Sequence, residues 1–87
     1  MTTDFSKRCE ILSDLWMNYR TDEQLTDFIE YNDMGLPLAY FINTKVVEPT
    51  PTSEIYIGET WDLFIEALGI QDTGFENLDQ MMKAAEK

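Results

Sequence analysis

The sequence has no histidine, so it lacks both the commonest general base and the commonest metal ligand. It has one cysteine, Cys9, which excludes a disulfide within the chain and fits a reducing compartment. The four glycines fall singly at 35, 58, 69 and 74, so no phosphate-cradling loop is present, and Ser6, Ser13 and Ser53 sit in no nucleophile elbow. No apolar run approaches the roughly 20 residues of a membrane span, and the opening MTTDFSKRCEILSD carries acids where a secretion signal needs an apolar core. Cations are also scarce. Seventeen acids face six bases, a formal charge of −11, and between Arg20 and Lys83 the one base is Lys45 against thirteen acids. Such a surface repels phosphate and anionic lipid, because binding either requires lysine and arginine. The absences predict a cytoplasmic, non-enzymatic protein with no cofactor, no metal, no membrane association and no direct contact with nucleic acid.

What is present is ample apolar material. With 44% hydrophobic residues in 87, the chain lies far from the composition of disordered segments and predicts one folded domain over residues 1–87 with a small core. The stretch from Thr50 to Gly69 predicts the central helix. Ile57, Trp61, Phe64 and Leu68 recur at helical spacing, Glu59, Asp62 and Glu66 take the opposite face, and Tyr56, Thr60, Leu63, Ile65 and Ala67 widen the apolar side. Thr50 as cap, Pro51 in the first turn and Gly69 at the end supply its boundaries.

Elsewhere, Phe5, Cys9, Leu12, Trp16 and Tyr19 form an amphipathic stripe with Ile11 and Leu15 beside it, predicting a first helix capped by Thr2 or Thr3 and reaching about Tyr19. Cys9 in that stripe reads as packing, since no histidine or second cysteine could engage it. Thr21 to Gln24 has the form of a capping box that opens a second helix, with Leu25, Phe28 and Ile29 inward. After the turn residues Asn32 to Gly35, a third helix is predicted from about Leu36 to Thr44 with Leu38, Phe41 and Ile42 as its apolar face. Residues 45–52 break the helix at two prolines, and the β-prone Ile55 to Ile57 leave open a hairpin with Val46 and Val47. Thr73 with Glu76 predicts a capping box for a last helix to about Ala85, with Phe75, Leu78, Met81 and Met82 apolar. The expected fold class is all-α, a compact bundle of four or five short helices.

Two groups of residues are candidates for contact with a partner. Glu23, Asp27 and Glu30; Glu59, Asp62 and Glu66; and Asp72, Glu76 and Asp79 each repeat at three or four residues, lining carboxylates along a helical face. Such rows fit a solvated face, a docking surface for a basic partner protein, or mimicry of nucleic acid in which carboxylates stand in for phosphates and occupy a DNA-binding protein. Tyr31, Met34, Tyr40, Ile55 and Tyr56 lie around predicted turns and form a candidate apolar interface, through which a homodimer would extend a small core. Asp72 to Asp79, DTGFENLD, lacks the spacing of a calcium loop. Carboxylate pairs alone do not mark an acid and base couple, since seventeen acids place pairs together by chance.

The runs DLWMNYRTDEQLTDFIEYNDMGLPLAYFI and ETWDLFIEALGIQDTGFENLDQM resemble small acidic uncharacterised proteins of marine cyanobacterial tailed phages and marine metagenomes. The resemblance spans most of the chain. It implies a phage source, hence the cytoplasm of a host cell, and supplies no catalytic residue, binding residue or cofactor.

Overall fold

The computed structural model describes residues 2–44 and 48–86, the side chains of 42–44 excepted. These residues form five helices and no strand: α1 (Phe5–Tyr19), α2 (Glu23–Tyr31), α3 (Gly35–Thr44), α4 (Pro51–Leu68) and α5 (Leu78–Ala85). The all-α expectation holds. A Cα radius of gyration of 12.0 Å equals the roughly 12 Å that a single packed domain of this length gives.

The helix on which the others lean is α1, where the sequence pointed to residues 51–68. It packs against all four neighbours, whereas the extensive contacts of α4 are with α1 and α3. The reason is the width of α1's apolar arc. Ile11, Leu12 and Leu15 are fully buried at its centre, and Phe5, Cys9, Trp16 and Tyr19 pack half-buried along one edge. An arc that wide can serve several partners, while a narrow stripe serves one. From α4 come the largest buried groups: Trp61 and Phe64, with Ile57 a turn earlier. Leu63, expected to widen that apolar side, stays 43% exposed. Leu25 and Ile29 from α2, Leu38 and Phe41 from α3, and Leu78 and Met81 from α5 complete one continuous core.

The boundaries of α4 are those its sequence dictates. Thr50 caps it, accepting from the Ser53 amide while the Ser53 hydroxyl accepts from the Thr50 amide, and Pro51 takes the first position. Residues 55–57 are therefore helical and the hairpin does not form; its other half, Val46 and Val47, lies outside the described residues. The other predicted caps lie one to four residues before the groups that act. Asp4 caps α1 through the Lys7 amide, because the hydroxyl of Thr3 is committed elsewhere. Asp22 caps α2 through the Leu25 amide, while Thr21 still bonds back to the Asn18 carbonyl of α1. Asn77, not Thr73, caps α5 through the Gln80 amide. Gly74, the first helical residue that a Thr73 cap would require, lies at φ +94°, outside helical backbone.

Two helices end in the same way. At α4, the amide of Gly69 (φ +67°) reaches the Glu66 carbonyl and that of Ile70 reaches Ile65; at α2, Asp33 (φ +55°) reaches Glu30 and Met34 reaches Ile29. Both are Schellman closures, one built with glycine and one with an aspartate in left-handed backbone. Left-handed backbone costs an L-residue roughly 1–2 kcal/mol and glycine almost nothing. The two sites should therefore respond oppositely. Gly69→Ala, whose methyl would meet no atom within 4 Å, is expected to destabilise by about 1 kcal/mol from the backbone alone, and Asp33→Gly to stabilise by up to about 1 kcal/mol. Urea titration of both variants decides it; a neutral Gly69→Ala would remove the backbone argument.

Candidate functional site

The nine candidate acids separate into three groups. Glu23, Asp27 and Glu30 are exposed along α2, and Glu59, Asp62 and Glu66 are exposed along α4. These two rows stand on helices that both pack on α1 and have little contact with each other. The third row does not exist as a helical face, because α5 begins only at Leu78. Asp79 stands exposed in its first turn, Glu76 lies in the preceding loop 3.7 Å from Lys7, and Asp72 is turned inward.

Asp72 is the polar centre of the fold. Its side chain is 10% exposed. The Thr3 amide donates to both its oxygens at 3.0 Å, the Thr3 hydroxyl to Oδ1 at 2.6 Å, the Gly74 amide to Oδ1 at 3.0 Å and the Trp61 indole Nε1 to Oδ2 at 2.8 Å. Thr3 is itself only 4% exposed, and its hydroxyl also accepts from the Phe75 amide at 2.8 Å. Arg8 closes the cluster, with Nη2 3.7 Å from Oδ2 and its guanidinium 5.6 Å from the centre of the Trp61 ring. Burial pushes the Asp72 carboxyl up, but the bonds from Thr3, Gly74 and Trp61 together outweigh it and hold the group below the ordinary carboxylate value. These partners join the segment before α1 to the loop before α5. Asp72 is thus withdrawn from any outward acidic surface.

The candidate apolar residues divide as well. Tyr40 of α3 stacks on Tyr56 of α4 with ring centroids 3.8 Å apart, and Ile55 beside it is 64% exposed. Tyr31, at the end of α2, is 89% exposed. Met34 is 1% exposed and does not belong to a surface: it follows the left-handed Asp33, where a Schellman closure turns its side chain onto the core. Sequence reasoning missed Leu36, which is 80% exposed one helical turn before Tyr40. The signal was available, since Leu36 and Leu38 point to different sides of a helix and only one of them can be buried.

Leu36 also borders a cleft of about 440 Å³ where α1, α2 and α3 converge, floored by Trp16, Tyr19 and Ile29 and edged by Glu30 and Asp33. The Trp16 and Tyr19 rings stack at 5.7 Å, and the Arg20 guanidinium lies 5.3 Å from the centre of the Trp16 ring. A second cleft of about 360 Å³ opens between α1, α2 and α5 over Leu15, Leu25 and Met82. Cys9 is half-buried, and burial pushes its thiol up, away from the reactive thiolate. Among the described residues no three or more acids and cysteines gather as a metal site would require, and no helix is long and apolar enough to cross a membrane.

Comparisons with protein-family models, with curated proteins and with solved structures find no match to this chain.

The two surviving rows have a thermodynamic consequence. Like charges three or four residues apart repel along a helix, and the net charge of −11 adds repulsion across the whole surface. Among the described residues the ion pairs involve Lys7 with Glu10 and Glu76, and Arg8 with Asp72, so neither row is neutralised. Salt should therefore stabilise the fold. Raising sodium chloride from about 0.01 M to about 1 M shortens the screening length from roughly 30 to 3 Å. The melting temperature is expected to rise by about 4 °C or more, the shift that roughly 1 kcal/mol of relief gives in a domain of this size. A fall over that range would mean that attractive pairs dominate the surface.

Proposed function

We propose that this chain is a small, acidic, non-enzymatic interaction protein that works in the cytoplasm by holding a partner protein. The observation that carries the reading is that Leu36 and Tyr40 of α3 and Ile55 of α4 stay 80%, 44% and 64% exposed, with Tyr40 stacked on Tyr56, the neighbour of Ile55. Exposed tyrosine and large aliphatic side chains are what interfaces concentrate. The lack of histidine supports the non-enzymatic part, and the resemblance to phage proteins fits a role directed at a host component.

Photo-crosslinking tests the reading. A benzophenone amino acid placed at Tyr40 or Ile55 should yield one discrete protein adduct in the producing cell, identified by mass spectrometry and re-formed with the purified partner, while the same group at Asp62 yields none. An adduct with a second copy of the chain would make the protein a homodimer, and a DNA-binding protein captured at Asp62 would favour mimicry of nucleic acid. No adduct from any position, with sedimentation at 10.2 kDa over a wide concentration range, overturns the proposal.

A further inference from the structure

We infer that the cleft between α1, α2 and α3 seats a basic amphipathic helix of a partner protein, its apolar side chains on the aromatic floor and its lysines or arginines against the surrounding carboxylates. The inference rests on the interaction-protein reading above and assigns the partner's chemistry.

The floor is apolar and open. Trp16 and Tyr19 are half-buried, Ile29 lies beneath, and Leu36 stands at the edge almost fully in water. A volume of about 440 Å³ is ample for anchoring side chains. The α2 side is anionic: Asp22, Glu23, Asp27, Glu30 and Asp33, on α2 and its two flanks, are all exposed, whereas α3 carries no charge. Among the described residues none of the five is in an ion pair. Glu30 and Asp33 border the cleft directly.

Charge selects the occupant. A second copy would bring one carboxylate wall against another, and juxtaposed like charges cost free energy at an interface; a nucleic acid would meet the same repulsion. A cationic segment gains from Glu30 and Asp33 on the α2 side. The Trp16 ring holds the chain's own cation, Arg20, which must swing aside for the occupant's apolar side chains to reach the floor. Gly35, Leu36 and Ala39 of α3 line the cleft over about one helical turn, matching the spacing at which an amphipathic helix presents anchors at i, i+3 and i+4.

Three synthetic peptides test this against the full chain by calorimetry: a helical peptide with leucines on one face and lysines on the other, the same peptide with glutamate for lysine, and the same with serine for leucine. The first alone should bind, shifting the NMR resonances of Trp16, Tyr19 and Leu36, and its affinity should fall in about 0.5 M salt. Leu36→Ser and Glu30→Lys, both at exposed positions, should each weaken it tenfold or more, while Glu59→Lys, which changes net charge equally, should leave it within about twofold. Equal weakening by Glu59→Lys would reduce the effect to diffuse attraction and overturn the assignment, as would equal binding of the serine peptide or no binding by the first. If the first peptide does not bind while crosslinking at Tyr40 still captures a partner, this assignment fails and the broader reading stands; loss of both removes both.

Discussion

Replacing Trp61 with alanine is expected to cost about 3–5 kcal/mol, the range for truncating a large buried aromatic. A domain of this kind has only about 5–15 kcal/mol in total. Trp61 is 0% exposed and lies 6.5 Å, ring to ring, from Phe75, so truncation opens a cavity at the junction of α4 with the loop that leads into α5. It also removes the indole donor to Asp72, leaving a nearly buried carboxylate with one partner fewer. Trp61→Phe separates the two effects. Phenylalanine keeps most of the apolar contact and loses the hydrogen bond, so its cost should be about 1.5–3 kcal/mol, the value of a bond to a charged group. Chemical denaturation of both variants is the measurement; a Trp61→Ala cost below about 1 kcal/mol would mean that the tryptophan is not the keystone its burial implies.

The second large effect belongs to Asp72. Asp72→Ala should destabilise by about 3–5 kcal/mol, because Arg8, the Thr3 amide and hydroxyl, the Gly74 amide and the Trp61 indole all lose a shared acceptor in a largely dry site. Combined with Trp61→Phe in a double-mutant cycle, Asp72→Asn should show a coupling energy of about 0.5–3 kcal/mol, since the two side chains touch. The pH dependence carries a definite sign. Asp72 titrates lower in the folded chain than its ordinary value of 3.8, so its contribution is fully present above that value and is lost as pH falls through the folded-state value. The stability gap between the wild type and Asp72→Asn should therefore be constant from about pH 8 to pH 5 and shrink below pH 3.8. A gap that instead widened on acidification would mean that Asp72 is raised by burial, with its hydrogen bonds too weak to compensate.

How much of this was legible in the sequence depended on how far apart the interacting residues lie. The limits of α4 could be read because Thr50, Pro51 and Gly69 act on amides and carbonyls within a few residues of themselves. The inward stripe of Ile57, Trp61 and Phe64 could be read because burial follows the helical period. The primacy of α1 could not, since α4 looked as wide: Leu63, which broadens its apolar side on a helical wheel, stays exposed, and periodicity does not tell which residues at the edge of an apolar face will be buried. Asp72 was placed in an outward row for a similar reason. Its four-residue spacing to Glu76, and that residue's three-residue spacing to Asp79, are real, but its partner Thr3 lies 69 positions away, and no local pattern encodes that pairing. Thr3, once engaged there, left the capping of α1 to Asp4, so one long-range contact displaced two local expectations. Met34 went astray for a local reason: it looked like a turn residue, and the closure of α2 on Asp33 makes it a core one. Leu36 was passed over beside Leu38, although one of that pair had to remain in water.

The bond between Thr3 and Asp72 has a consequence for how the protein is made. α1 leaves the ribosome before the other four helices, yet every helix that covers it, and the carboxylate that fastens the residue just ahead of it, is translated later. α1 therefore stays incompletely covered on the nascent chain until residues 72–85 have emerged, and the fold cannot be completed before then. Stalled nascent chains halted with Asp72 still inside the exit tunnel should be cleaved rapidly by protease, and chains extended far enough to expose Ala85 should resist it.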